Sequence, residues 1–249
     1  MMLQEEIVMS ETNFRKLAGV FFIVGAILVN IPYTLLIINF DYPDILRQPT
    51  AEILAKFQSG GDALIYAWLA FAWVGLPLLL GAIMLKRILV SENSPLLELA
   101  TTLGVIGFVV QVIGLLRWVF VVPVLAHLFT DPTADSTTQA AISAVFTAIH
   151  QYGGVILGEH LGQLFTILWM SLISGIIYKS RMFSKWVAWL GWFASVVYLL
   201  AQTELLATAI PNFPVIGWAG LYGSLMWLVW MIVVGVYLVK YKESILVVG

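Results

Sequence analysis

Arg117, His150, Glu159, His160 and Glu204 are ionisable side chains set within or beside long apolar runs. In such runs a charge costs at least ~2.5–3.5 kcal/mol on insertion scales unless it pairs or meets water. Their positions coincide in depth. Arg117 lies six residues before Pro123, and Glu204 lies six residues before Ile210. Glu159 and His160 sit a few residues into the run that starts at Val155. At 1.5 Å per helical residue, all fall roughly 6–10 Å inside the same membrane boundary. Asn30 falls near that level as well.

The residue types restrict the chemistry. An arginine stays protonated and needs an acceptor. Glu159 and Glu204 are the only carboxylates within the apolar runs, so an Arg117–Glu159 or Arg117–Glu204 pair is expected. Two acids against one base leave a carboxylate over, so a proton, a charged His160 or His150, or water must balance it. One reading is an ion-paired staple that fixes helix register. The other is a ligand or reaction site. Glu159 and His160 point about 100° apart on a helix, which argues against a metal shared by both. There is no H-E-x-x-H, G-x-S-x-G, Walker or dinucleotide fingerprint. No metal and no cofactor is therefore expected. Gln111, Gln163 and Gln202 read as helix-to-helix hydrogen bonds, and the Gly158–Gly162 spacing as close helix contact.

The elements that must position these groups are membrane helices. Of 249 residues, 61% are hydrophobic and 10% charged, against roughly 45–50% and about 25% in soluble chains. Lipid must be the solvent. The net charge of −2 offers no basic field for nucleic acid. The absence of cysteine excludes disulfides, thiolate metal sites and thiol catalysis on this chain. Six runs are long enough to span: Leu17–Ile38, Leu64–Leu85, Leu99–Val122, Val155–Tyr178, Trp186–Ile210 and Val215–Val239. Backbone groups in lipid must bond internally, so these are helices. The fold class is all-α, a polytopic transmembrane bundle forming a single domain over residues 1–249. Glu5, Glu6 and Glu11 precede Arg15 and Lys16, and no small-residue cleavage site follows, so the first run reads as a retained span.

Arg15, Lys16, Lys86, Arg87, Lys179, Arg181, Lys185, Lys240 and Lys242 fall on one side, and only Arg47 and Lys56 on the other. The first side should be cytoplasmic, with both termini there. Trp186, Trp189 and Trp192 would form an aromatic belt on it, with Trp218 and Tyr222 near the opposite boundary. The two long external loops each predict a short interfacial helix. One starts at Pro49 with Leu46, Ile53, Leu54 and Phe57 on one face, and ends at Gly60–Gly61. The other opens on a Ser136–Gln139 capping box with Ile142, Val145, Phe146 and Ile149 facing the bundle or the interface, and Gly153–Gly154 separates it from the fourth span.

Three strings carry a resemblance: Asp41-Tyr42-Pro43-Asp44-Ile45-Leu46-Arg47-Gln48-Pro49, Leu115-Leu116-Arg117-Trp118-Val119-Phe120-Val121-Val122-Pro123, and Gly158-Glu159-His160-Leu161-Gly162. Together they resemble a bacterial six-helix membrane family catalogued as domain of unknown function 4386. The resemblance covers nearly the whole chain and implies a bacterial inner-membrane protein. It implies no activity.

The expected function is a polar intramembrane pocket, open to the outside, for a small molecule or lipid headgroup. Arg117 would hold an anionic group, with Glu159, His160, Glu204 and His150 shaping the pocket. Two alternatives remain open. One is an enzyme acting on a lipid-like substrate by Glu/His acid–base chemistry. The other is a structural or regulatory subunit held by a buried ion pair. The expected partner is the bilayer, and the sequence does not set an oligomeric state.

Overall fold

Six apolar stretches fold as six membrane-crossing helical units, and no strand occurs among the described residues. The computed structural model describes residues 2–90 and 95–241, with only the helical path for residues 2–10. Lys242 and the side chains of Glu5 and Glu6 lie outside the described residues.

Span one is α1 (Met2–Leu28) and α2 (Asn30–Phe40). Span two is α3 (Thr50–Trp73) and α4 (Leu76–Ile88). Span three is α5 (Leu96–Phe120) and α6 (Val122–Thr130). Span four joins α7 (Ser136–Ile149), a π-helix (His150–Leu161) and α8 (Gly162–Lys179). Span five is α9 (Lys185–Leu200) and α10 (Gln202–Ala207), and span six is α11 (Ala219–Lys240). Pro32, Pro77 and Pro123 lie next to the breaks in the first three spans. A proline removes a backbone donor and crowds the preceding turn, which bends a helix there.

Neighbouring spans form a ring. α4 packs on α1, α1 on α11, α11 on α9, α9 on α8, α8 on α5, and α5 on α4. The half nearer the chain termini has its own core, in which Phe22, Leu85, Met170, Val187, Trp230 and Leu238 are fully buried or nearly so. In lipid no hydrophobic force gathers these helices, so close packing and interhelical hydrogen bonds must do it. The Trp230 indole donates to the Val187 carbonyl at 3.0 Å, and the Trp192 indole to that of Ser171 at 3.0 Å. Trp186 and Trp189 are exposed at this end, and Trp218 and Tyr222 at the other, as interfacial belts require.

The opposite, distal end is built differently. Spans two, three and four run for 39, 35 and 44 residues. A hydrocarbon core needs only about 20, so these three project beyond it. Their extensions carry a second core, in which Trp68 and Trp118 stack at 4.8 Å and Phe57 stacks on Trp118 at 5.6 Å. Phe40 meets Trp118 edge-on at 5.3 Å. Aromatic pairs of this kind contribute ~0.5–1.5 kcal/mol each beyond their burial.

Both loop helices are present, and each runs on into the span behind it. Pro49 caps α3, and Ile53, Leu54 and Phe57 are buried as the spacing requires. Gly61 interrupts α3 with φ 54°, a conformation open to glycine because it lacks a Cβ. Three details of the second loop differ from expectation. Asp135 caps α7, its carboxylate accepting from the Thr138 N–H at 2.8 Å, so Ser136 lies one position inside. Gln139 donates to the Phe129 carbonyl at 3.3 Å and closes no capping box. Ile142 and Phe146 are buried against the bundle, and Val145, 47% exposed, lies on the outer side of the face, within the expectation of bundle or interface. Gly153–Gly154 does not break the helix, which passes through both residues as a π-helix of 12 residues.

Candidate functional site

The segment between spans one and two reaches back over the bundle. α2 ends at Asp41 in a left-handed conformation, followed by a cis Tyr42–Pro43 peptide and a 3₁₀ turn over Asp44–Arg47. Ile45 and Leu46 are buried in the distal core, so the segment is packed down. The ion pair of Lys56 with Asp41 ties it to α3. This placement aims Arg47 at the polar layer. Its Nη2 donates to Glu159 Oε2 at 2.7 Å, and its Nε donates to Glu204 Oε1 at 3.1 Å.

The expected Arg117 pair is therefore corrected. Both carboxylates of the layer belong to Arg47, and Arg117 forms no ion pair among the described residues. The reason lies in helix geometry. Side chains lean toward the N-terminus of their own helix, and α5 runs toward the distal end. The lean draws Arg117 deeper, where its Nη1 donates to the Gly114 carbonyl one turn back. Its guanidinium carbon lies 5.0 Å from the Trp118 ring centroid. Arg117 is 8% exposed, and its Nε has no partner among the described residues.

Space for Arg117 comes from the π-helix. A Cβ on Gly154 would lie 2.5 Å from Arg117 Nη2, so only a glycine leaves room. One turn deeper, a Cβ on Gly114 would lie 2.6 Å from the Gly158 Cα. Below that, Gln111 donates to the Gly162 carbonyl at 3.0 Å and to Thr166 at 2.9 Å. The small-residue spacing thus marks a helix contact, as expected.

Glu159 and His160 diverge. Glu159 meets Arg47, whereas His160 Nδ1 lies 2.6 Å from Gln202 Oε1, and Gln202 Nε2 donates to Gln163 at 2.9 Å. Because the Gln202 nitrogen is occupied as a donor, its oxygen accepts from His160. Nδ1 then carries the proton and Nε2 the lone pair. His150 stacks on Phe146 at 5.3 Å, is 9% exposed, and has the Leu46 backbone beside its ring. Asn30 does not join the layer, and its amide donates to the Ala26 carbonyl at 2.8 Å. Among the described residues no three His, Asp or Glu side chains converge as a metal set.

Arg47 and Tyr42 belong to the site and were not singled out among its candidates. Burial works against the Arg47 charge, but Glu159 and Glu204 outweigh it and hold the guanidinium more firmly protonated than usual. Burial and then the negative charge of Glu159 push the Tyr42 phenol above its ordinary range. Tyr42 packs edge-on against Tyr33 at 5.5 Å. A signal for Arg47 was available: Ile45 and Leu46 are apolar residues in a short loop, and burying them forces their neighbour against the bundle.

Two surface clefts occur elsewhere. One of about 290 Å³ is lined by Leu89, Lys179, Ser180, Arg181 and Tyr241 at the terminus-bearing end. One of about 190 Å³ lies against Phe57, Gly61, Asp62 and Pro123. Neither is lined by Arg117, Glu159, His160 or Glu204.

A family model described as "Domain of unknown function (DUF4386)" matches residues 17–235. The chain matches no curated protein and no solved structure. The matched stretch reaches into all six spans and includes every residue of the polar layer, so the chain belongs to that family.

Proposed function

We propose that this multi-pass membrane protein of the family binds a small molecule or lipid headgroup within its distal polar layer, with an anionic or acceptor group held by Arg117. The observation that carries the reading is the state of Arg117 and His150. Both are more than nine-tenths buried, and Arg117 Nε has no partner among the described residues, while the carboxylates of the layer are committed to Arg47. A buried donor left unmade costs ~1–3 kcal/mol, and more when charged. A purely structural staple would have placed a carboxylate on Arg117. The ligand supplies that acceptor, and Glu159, His160 and Glu204 line the approach. The site faces the outside of a bacterial inner membrane, with both termini cytoplasmic, because nine basic residues flank the terminus-bearing side against two on the other.

The test is mass spectrometry of the protein purified in mild detergent. A bound molecule should accompany the wild type and be lost from Arg117→Met at unchanged helicity. A wild type with no bound molecule, alongside a destabilised Arg117→Met, would leave only the staple. Reporters fused within Lys179–Lys185 should report cytoplasm, and one at Asp131–Asp135 the exterior. A cytoplasmic signal at Asp135 would reverse the orientation.

A second reading, an enzyme on a lipid-like substrate, draws on one feature. Gln202 fixes the His160 tautomer with Nε2 free to accept a proton, the arrangement of an oriented general base. Lipid turnover abolished by His160→Gln would favour it.

A further inference from the structure

Arg47 occupies a position that a ligand could take. Its guanidinium bridges two carboxylates carried by different spans, at 2.7 Å from Glu159 and 3.1 Å from Glu204. The three side chains are 28%, 20% and 40% exposed, so this layer opens toward the distal surface. Below it, Arg117 and His150 are 8% and 9% exposed, and Arg117 Nε has no partner among the described residues. The charges are therefore stacked: carboxylates toward the surface, a guanidinium deeper in.

Arg47 fills the space between the two carboxylates, so a ligand that takes the cation position must displace it. Ile45 and Leu46 are 2% and 7% exposed and keep the segment packed, but the Arg47 side chain can rotate outward alone. Its departure leaves two carboxylates, 20% and 40% exposed, without their cation, a loss set between that of a buried and that of an exposed pair. A simple anion seated on Arg117 would leave them stranded. A ligand that also carries a cation would not.

Resting on the binding role proposed for this layer, we infer that the ligand is a compact zwitterion whose cationic group replaces the Arg47 guanidinium between Glu159 and Glu204 while its anionic group lies on Arg117 and His150. Arg47 is then an internal competitor for the cation site. Tyr42, near Glu159 and packed edge-on against Tyr33, adds aromatic surface that favours an ammonium group. An amine joined to a phosphate by a short linker has the required polarity, and it exists both as a lipid headgroup and as a free solute.

The experiment uses the full-length protein in detergent, loaded with equal amounts of phosphatidylethanolamine and phosphatidylglycerol and read by native mass spectrometry. Free phosphoethanolamine is titrated separately by thermal shift. The wild type should retain phosphatidylethanolamine over phosphatidylglycerol, and Glu204→Gln should erase the preference. If Arg47 holds the site closed in all but about a tenth of molecules, Arg47→Ala should strengthen phosphatidylethanolamine binding by about tenfold. Arg47→Lys, which keeps the charge and loses the fork, should give a smaller gain and serves if the alanine variant does not fold. Binding of free phosphoethanolamine as tight as that of the lipid would make the solute the source, and binding of the lipid alone would make it the headgroup. Equal retention of the two lipids, with no gain on changing Arg47, overturns the zwitterion while Arg117-dependent binding still stands. Loss of all Arg117-dependent binding overturns both.

Discussion

Replacing Arg47 by methionine removes one guanidinium and strands two carboxylates, Glu159 at 20% exposure and Glu204 at 40%. Breaking one side of a fully buried pair costs ~3–5 kcal/mol in soluble proteins. Exposed pairs are worth only ~0.2–1 kcal/mol, and polar couplings measured in membranes average ~0.6 kcal/mol. Glu159 lies between these limits, and Glu204, more than a third exposed, belongs near the weaker one. Arg47→Met should therefore destabilise by about 1–3 kcal/mol, which is a fall of about 3–10 °C in Tm on the scale of soluble chains of this size. Combining it with Glu159→Gln and Glu204→Gln removes the stranded charges, so the triple variant should be more stable than Arg47→Met alone. Thermal unfolding in one detergent compares them, and the same cycle with Arg117→Met should show much weaker coupling to either glutamate. If Arg117 couples to Glu159 as strongly as Arg47 does, or if the triple variant is no better than the single, the assignment of the carboxylates to Arg47 is refuted.

Gly114→Ala should destabilise by ~1–3 kcal/mol, since its Cβ meets the Gly158 backbone at 2.6 Å and neither helix can yield cheaply; Gly220→Ala on α11, with nothing within 4 Å, should be neutral or stabilising in the same melt. The Asp135 carboxyl is held below its ordinary value by its bonds from Thr138, so its capping contribution is present above the unfolded carboxylate range and lost as pH falls through the folded value. Protection factors at the start of α7, corrected for intrinsic exchange, should therefore fall in acid in the wild type but show little pH dependence in Asp135→Ala.

Lipid leaves so few options that the spans could be read from their apolar runs alone. Their ends were less legible, because α3 and α7 begin as what read as separate loop helices, and α6, apolar itself, contains Pro123, which reads as a stop. Depth bookkeeping brought Arg117, Glu159 and Glu204 to one layer, but depth does not say which way a side chain leans or which loop folds back. Arg47 was counted only for its side of the membrane, and two buried neighbours, Ile45 and Leu46, decided its real position. Gln111, Gln163 and Gln202 were legible as helix-to-helix hydrogen bonds because in lipid a polar amide must find a partner, whatever the exact register. The π-helix was hidden by its own glycines, which read as a break because nothing local reveals that Arg117 will occupy the space they leave.

The closed ring of spans has a consequence for biogenesis. α1 packs on both α4 and α11, and Arg15 donates to the carbonyls of Leu238 and Tyr241, more than 220 residues downstream. The first helix to leave the ribosome therefore waits for the last before its own flank is covered. Until α11 is inserted, Gly19 and Arg15 face lipid or a chaperoning insertase. A chain stopped after α9 would keep five of its spans yet leave an open seam on both α1 and α9, a ready target for membrane quality control.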